Sequence, residues 1–206
     1  MFSFLVSTQP ALRHSDIEQT YCLSSISFFD ATTSNRVGFR GQHAASFLQQ
    51  QGLEIPPQPN NAVEMRNGLW VLRLSLTEFW VLDVEHQHTE AILELEKAAL
   101  NASQVTRLYC QHSSAMFVLT GDACPQMFAK VCAVDFQPDV FTPGHIAQTS
   151  VARVSSVVVN TSQSAFKQTR FFILSDISSA DYLWHALEDA ALEFQQTTDK
   201  ERFSDN

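Results

Sequence analysis

Glycine is scarce in this sequence, and so are basic residues and long apolar runs. The 206 residues include six glycines, and none of them falls into GxGxxG or GxxxxGK[ST] spacing, the patterns that bring backbone amides close to the phosphates of a dinucleotide or nucleoside triphosphate. We therefore expect neither flavin nor nicotinamide binding by this chain, and no P-loop hydrolysis. The formal charge of −9 comes without a basic cluster, which argues against nucleic acid or an anionic membrane as a partner.

The sequence also lacks the usual signals of export and membrane insertion. No apolar run approaches the roughly 20 residues of a membrane-spanning helix, and the start, MFSFLVSTQPAL, has no basic residue before its short apolar run. The four cysteines have no CxxC spacing and are predicted to be small core residues without disulfides. We therefore expect a cytoplasmic protein.

An internal repeat is the most informative feature that the sequence does contain. At a constant offset of 80, residues 30–48 align with residues 110–128, and Gly41 falls on Gly121. Farther along the offset is 92, and two pairs of strings match: FWVL (79–82) with FFIL (171–174), and LEKAAL (95–100) with LEDAAL (187–192). The matches keep one order, which indicates a duplication whose second copy has twelve extra residues between Phe128 and Phe171.

Each copy reads as a strand, a glycine turn, an amphipathic helix, further strands and a closing helix. This order predicts an α+β fold made of two split βαβ (ferredoxin-like) repeats with antiparallel sheets. We expect a single domain over residues 1–195, with repeats at about 25–104 and 105–194. Residues 196–206 are predicted to be a polar C-terminal tail.

The stretch VDFQPDVFTPGHIAQTSVARV, residues 134–154, holds acids, a histidine, a glutamine and an arginine between turn-forming prolines. If one strand runs from 146 to 159, Gln148 faces one side and Thr149 and Arg153 face the other. An arginine in such a strand needs an internal carboxylate, a row of carbonyls or a partner's carboxylate. An internal ion pair, a subunit contact and ligand binding therefore remain as alternatives for Arg153, with the ion pair favoured.

Other residues with catalytic or metal-binding chemistry are better explained by ordinary structure. His86 and His88 form an HxH without an evident third ligand, so no metal site is predicted. Cys110 is predicted to be a core cysteine beside the turn residue His112, and Asp135 to accept backbone hydrogen bonds in a turn. We predict no catalytic residue in this chain.

The stretch 134–154 resembles the corresponding segment of a known family. The resemblance to the gamma subunit of heterotetrameric sarcosine oxidase rests on a spaced set of unlike residues: Val134, Asp135, Phe136, Pro138, Phe141, Pro143, Gly144, Ala147, Gln148, Thr149, Ala152 and Arg153. Three further segments fit in order, residues 39–62, 73–83 and 170–187. The resemblance covers roughly residues 25–194.

The resemblance carries expectations about fold, partners and cofactors. It implies the fold of the folate-binding region of the glycine-cleavage T-protein (aminomethyltransferase) superfamily. It also implies a complex with a large alpha subunit that binds flavin and NAD, a small flavin-binding beta subunit and a zinc-binding delta subunit. Such complexes oxidise sarcosine and can pass the one-carbon unit to tetrahydrofolate. Because flavin, NAD and tetrahydrofolate are expected on the partner subunits, this chain is expected to bind no cofactor. Arg153, Gln148, Thr149 and Arg73 are then candidates for an interface or ligand contact.

One departure from the catalytic members of that superfamily bears directly on catalysis. Aminomethyltransferases carry an acidic pair in a strand where this chain has Ser155, Ser156 and Val157. The resemblance therefore implies a non-catalytic structural subunit. The alternative from the same superfamily is a stand-alone folate-binding or aminomethyltransferase-like protein of one-carbon metabolism. It would bind tetrahydrofolate and needs a pocket between the repeats with an acid directed into it.

Overall fold

The computed structural model describes residues 20–23, 25–163 and 169–194. The described strands are β1 Thr20–Cys22, β2 Ser27–Asp30, β3 Asn35–Arg40, β4 Asn61–Glu64, β5 Trp70–Arg73, β6 Glu78–Asp83, β7 Thr106–Leu108, β8 Ser114–Thr120, β9 Ile146–Val151, β10 Val154–Asn160 and β11 Arg170–Asp176. The described α-helices are α1 Ala44–Gln50, α2 Thr89–Ala99, α3 Cys110–Ser113, α4 Cys124–Val131 and α5 Ala180–Ala191. Short 3₁₀ turns at Ile177–Ser179 and Leu192–Phe194 flank α5.

The strands form two antiparallel sheets with matching orders. The six-stranded sheet runs β1-β2-β8-β11-β10-β9, and the five-stranded sheet, read from its opposite end, runs β7-β3-β6-β5-β4. Apart from β1, each strand of the first sheet therefore has a counterpart in the second. The α+β class and the antiparallel sheets predicted from the sequence are confirmed.

The two sheets exchange one strand each. Strand β2 precedes β3 in the chain but pairs with β8 in the six-stranded sheet. Strand β7 likewise precedes β8 but pairs with β3 in the five-stranded sheet. Because β3 is antiparallel to both β6 and β7, β6 and β7 run parallel with β3 between them, which makes β6-α2-β7 a split βαβ unit.

Hydrophobic side chains divide the fold into four layers. Alternate residues of β3, Val37 and Phe39, pack with α1 and α2 outside the five-stranded sheet. Phe117 and Leu119 of β8 pack with α4 and α5 outside the six-stranded sheet. A third core joins the inner faces of the two sheets through Trp70, Leu72, Leu82, Met116, Val118, Val159, Phe172 and Leu174. The central strands are buried on both faces, which explains their near-continuous apolar sequence.

The two glycine turns matched in the sequence occupy equivalent, crowded positions. Gly41 and Gly121 follow β3 and β8 and have positive φ angles of 152° and 123°. A Cβ atom on Gly41 would lie 1.9 Å from the carbonyl oxygen of Gln104, and one on Gly121 would lie 2.3 Å from that of Ser25. Both carbonyls precede an exchanged strand, so glycine at these turns permits the exchange.

The single strand expected over residues 146–159 is wrong. The structure has a hairpin in which β9 and β10 pair antiparallel, with Val151 opposite Val154. Ala152 and Arg153 form its two-residue turn, with φ angles of 48° and 69°, in the left-handed region that a tight type I′ turn requires. The β-branched pattern concealed the turn, because neither residue is the glycine or asparagine that usually marks one.

The twelve extra residues of the second repeat are not one insertion. Strands β9 and β10 are longer than their counterparts β4 and β5. The connection before β9, residues 132–145, is longer than residues 51–60, and residues 161–169 replace the shorter connection 74–77. Lengthened strands and loops therefore share the excess.

No helix among the described residues is long and apolar enough to cross a membrane. The longest of them, α5, has 12 residues, which spans about 18 Å at roughly 1.5 Å per residue.

Candidate functional site

An open cleft lies at one end of the two facing sheets. Its volume is about 580 Å³, within the range of about 300–1,000 Å³ typical of small-molecule sites. The lining residues are mostly small and polar: Trp80, Ser113, Ser114, Gln148, Thr149, Ser155, Ser156, Val157, Leu174, Ser175 and Asp176. Trp80 comes from the five-stranded sheet, and the others belong to β8–β11 or to the end of α3. The cleft thus lies between the two repeats.

Strand register decides which side chains face the cleft. In the β10–β11 pair, Val157 lies opposite Leu174, and Ser156 lies opposite Ser175. Leu174 belongs to the core between the sheets, so by the alternation of a strand Asp176 shares its face. Ser156 and Ser175 therefore belong to the opposite face, towards the helices. This register places the carboxylate of Asp176 on the side of the cleft.

Trp80 occupies its place because its neighbour on β3 has no side chain. Gly38 lies opposite Trp80 in the β3–β6 pair. A Cβ atom on Gly38 would lie 3.1 Å from Cδ1 of the indole and 2.9 Å from the Cβ of Leu108. The indole Nε1 donates a hydrogen bond to Glu78 Oε1 at 3.1 Å, and Glu78 in turn pairs with Arg40. Trp80 is therefore held on this side of the cleft.

Asp176 is the charged residue of the lining. Its Oδ1 accepts hydrogen bonds from the Ser178 backbone N–H at 2.9 Å and the Ser178 hydroxyl at 2.6 Å. These bonds lower the pKa of Asp176, so the group is an anion at neutral pH. Among the described residues, Oδ2 has no hydrogen-bond partner, so one oxygen is left for a ligand or water.

Arg36, on β3, holds the wall that carries Ser113 and Ser114. It is fully buried, and its guanidinium donates to the carbonyl oxygens of Ser34, Cys110, Gln111 and Ser114. Burial lowers the pKa of Arg36 to about 10, against the opposing influence of Cys110 and Asp30, so the side chain stays cationic at neutral pH. A row of carbonyls, one of the environments expected for Arg153, thus surrounds Arg36.

Two of the four candidate residues meet at the cleft. The amide nitrogen of Gln148 donates to Asn60 Oδ1 and to the Leu74 carbonyl, both at 2.7 Å, which ties β9 to the first repeat. Thr149 is half-buried, and its hydroxyl lies 3.7 Å from the Cys132 sulfur. Gln148 therefore joins the two repeats at the rim of the cleft.

The two arginines among the candidates do not line the cleft. Arg153 is exposed at the tip of the β9–β10 hairpin, and the favoured internal ion pair is not found among the described residues. Arg73 donates to the carbonyls of Pro56 and Pro57 at 3.0 and 2.9 Å and stacks on Phe79. Carbonyls and an aromatic ring therefore satisfy most of Arg73 inside the first repeat, although its Nε is buried without a partner.

The remaining candidates lie in local structure. His88 precedes α2 as its N-cap residue, and His86 has a left-handed φ of 56°. Asp135 accepts from the Gln137 N–H in a turn, as predicted, whereas Cys110 and His112 lie on a helical turn. Across residues 20–23, 25–163 and 169–194, no three His, Cys, Asp or Glu side chains are grouped so as to hold a metal ion.

Sequence reasoning missed Asp176, Trp80 and Arg36. Trp80 is half-buried, although a tryptophan in an apolar strand is ordinarily a core residue. Asp176 had a recognisable signal, since a carboxylate that ends a buried strand lies at a sheet edge, where sites form. Arg36 had none, because a polar residue alternating with Val37 and Phe39 reads as solvent-exposed.

Comparison with known proteins gives matches among solved structures only, since neither the scan of protein-family models nor the search of curated proteins found a match. A chain of the heterotetrameric sarcosine oxidase from Corynebacterium sp. U-96, solved in complex with pyrrole 2-carboxylate, matches with a TM-score of 0.70 and 22% identity over 82% of this chain and 85% of that one. The regulatory subunit of aspartate kinase from Thermus thermophilus, in its ligand-free form, has a TM-score of 0.37 and 10% identity over 82% of this chain and 99% of that one, too low to support an argument. This chain thus has the fold of a chain of heterotetrameric sarcosine oxidase.

Proposed function

We propose that this chain is a non-catalytic structural subunit of a heterotetrameric, sarcosine oxidase-like complex. The observation that carries the proposal is the fold likeness, which extends over most of both chains at a TM-score of 0.70. The spaced residues of 134–153, which resemble the gamma subunit of such complexes, support it from the sequence. Flavin, NAD and tetrahydrofolate would then be bound by the alpha and beta partners, and the delta subunit would complete the assembly.

The chemistry of the described residues agrees with a structural role. Residues 155–157, where the aminomethyltransferases carry an acidic pair, are Ser155, Ser156 and Val157 on β10. Ser156 is buried, and its hydroxyl is used locally, donating to the Val154 carbonyl at 2.9 Å. These hydroxyls do not supply the carboxylate that aminomethyl transfer requires.

Arg153 is the residue that we assign to the subunit interface. It occupies a left-handed turn position with a φ of 69°, where glycine is favoured, and its cation has no described partner. A partner's carboxylate would supply the missing charge, and the fork of donors suits a bidentate contact. The contact with the partner's carboxylate would then offset the free-energy cost of the left-handed backbone conformation at Arg153.

Substitution of Arg153 separates this assignment from a role in folding. Arg153→Gly is expected to leave the free energy of unfolding unchanged or to raise it by about 0.5–1 kcal/mol, while weakening assembly with the alpha subunit. Arg66→Gly is the matched control, because Arg66 is exposed in the corresponding β4–β5 turn. If Arg153→Gly assembles as tightly as the wild type, Arg153 does not lie in the interface.

Co-expression with the alpha, beta and delta chains tests the proposed function itself. The isolated chain should be colourless and inactive towards sarcosine, and it should co-purify with the alpha subunit. Yellow isolated protein with flavin absorbance, or an isolated chain that oxidises sarcosine, would overturn the proposal.

The second candidate function is a folate-binding protein of one-carbon metabolism. The observation that favours it is the cleft between the repeats, with Asp176 at its side. Titration with a reduced folate, followed by tryptophan fluorescence, separates the two functions because Trp80 lines the cleft. Saturable quenching would support folate binding, whereas a structural subunit gives no saturable change.

A further inference from the structure

We propose that the cleft beside Trp80 and Asp176 is a binding site for a small organic ammonium ion. The inference goes beyond the proposed function, since it concerns the isolated chain and does not depend on assembly. It rests on three observations, which are the charge of the lining, the placement of the indole and the hydroxyl groups of the walls.

The charge of the lining favours a cation. Asp176 is charged, and no lysine, arginine or histidine is among the residues that line the cleft. Asp176 Oδ1 is engaged by Ser178, which fixes the carboxylate, and Oδ2 has no hydrogen-bond partner among the described residues. The formal charge of −9 on the whole chain adds a long-range attraction for cations.

The indole of Trp80 provides the second contact. Tryptophan is the side chain that attracts cations most strongly through its ring face. The hydrogen bond from the indole Nε1 to Glu78 Oε1 makes the ring more electron-rich, and the missing side chain of Gly38 gives it room. Leu174 and Val157 add apolar surface for the carbon part of a ligand.

The hydroxyl groups complete the match. Ser113, Ser114 and Ser155 contribute to the lining, and hydroxyl oxygens accept hydrogen bonds from an ammonium group. A ligand carboxylate would find no basic side chain in the lining. An ammonium ion with a short alkyl chain therefore fits the site better than an amino acid or a folate with its anionic tail.

Isothermal titration of the full chain with n-butylammonium tests the proposal, with n-butanol as the neutral ligand of similar shape. We expect saturable binding with a dissociation constant of roughly 1 mM, because the cleft is open to water, and no binding of n-butanol. Trp80 fluorescence should change in parallel, since Trp70 and Trp184 are buried at 6% and 1% exposure.

The decisive variant is Asp176→Asn, which keeps an oxygen for the bonds from Ser178 and removes the charge. It should weaken butylammonium binding about tenfold. Asp135→Asn is the matched control, because Asp135 makes the same kind of bond, accepting from the Gln137 N–H at 2.9 Å, but does not line the cleft. It should bind as the wild type does.

Three outcomes would overturn the proposal. They are no saturable binding of butylammonium, equal binding by Asp176→Asn and the wild type, and binding of a reduced folate in place of the amine. Failure of the chain to assemble with an alpha subunit would instead overturn the proposed function and leave the amine titration unaffected.

Discussion

Replacement of Arg36 by methionine is the perturbation that tests the internal organisation of this fold. Methionine keeps the length and the apolar stem but removes every donor. In the native protein the guanidinium donates to Ser34 and Cys110 at 3.3 Å, to Gln111 at 3.5 Å, and to Ser114. These bonds join β3 of one sheet to α3 and β8, and β8 belongs to the other sheet.

The expected loss follows from two opposing contributions. Hydrogen bonds to a charged group stabilise by about 1.5–3 kcal/mol each, so four of them contribute roughly 6–12 kcal/mol. Keeping the cation buried costs several kcal/mol in return, consistent with the lowered pKa of Arg36. Removing both contributions and leaving the carbonyls without donors should lower the free energy of unfolding by a net of about 3 kcal/mol.

Denaturant unfolding and thermal melting measure this loss. A change of about 3 kcal/mol corresponds to a drop in Tm of roughly 10 °C for a chain of this size. Arg40→Met is the control, since Arg40 lies on the same strand but is exposed and pairs with Glu78, and it should cost less than about 1 kcal/mol. If Arg36→Met is as stable as Arg40→Met, the carbonyl cluster does not hold the two sheets together.

Three further predictions concern the glycine turns, the thiols and the cleft acid. Gly41→Ala and Gly121→Ala should each lower the free energy of unfolding by roughly 3 kcal/mol or more in denaturant melts, because the new Cβ atoms would overlap the Gln104 and Ser25 carbonyls. The control is Gly52→Ala, whose Cβ would meet nothing within 4 Å and which should cost only about 1 kcal/mol for its positive φ. Equal losses of stability in the three variants would contradict the strand exchange. A thiol reagent added to the native protein should modify the exposed Cys22 first, whereas the buried Cys110 and Cys124 should react only on unfolding. Burial also raises the pKa of the Cys124 thiol to about 12. Rapid modification of Cys124 in the native state would refute its buried position. Hydrogen bonds from Ser178 lower the pKa of Asp176 below its ordinary 3.8, so the charged carboxylate stabilises the fold above pH 3.8 and this stabilisation is lost as the pH falls further. Asp176→Asn should therefore reduce the loss of stability measured from roughly pH 5 to pH 3. An unchanged pH dependence would mean that Asp176 does not cap the turn.

The sequence predicted those parts of the fold that depend on local patterns. The repeat paired Gly41 with Gly121 and placed strands and helices around both, because close backbone approaches and apolar periodicity leave a direct trace in residue types. The strand exchange left no such trace in the sequence, since β2 and β7 are short and either sheet could have paired with them. The hairpin at Ala152 and Arg153 was also missed, because its turn residues are not those that usually mark a tight turn.

The candidate site was only partly predictable. Gln148 and Thr149 were identified through their residue types and do lie at the cleft. Arg153 was identified too, but its expected internal partner does not exist among the described residues, because a hairpin turn places it at the surface. Asp176 and Trp80 depend on the packing of one sheet against the other, which no single strand reveals.

The central claim is that this chain serves as a structural subunit, and one measurement tests it most directly. The chain should be co-expressed with the alpha, beta and delta chains of the sarcosine oxidase-like complex, and the purified assembly weighed by light scattering after size exclusion. We expect one flavin-containing particle that carries one copy of this 23.1 kDa chain and separates from a flavin-free isolated chain. An active, flavin-containing assembly that forms without this chain and does not bind it would show that this chain is not a structural subunit of the complex.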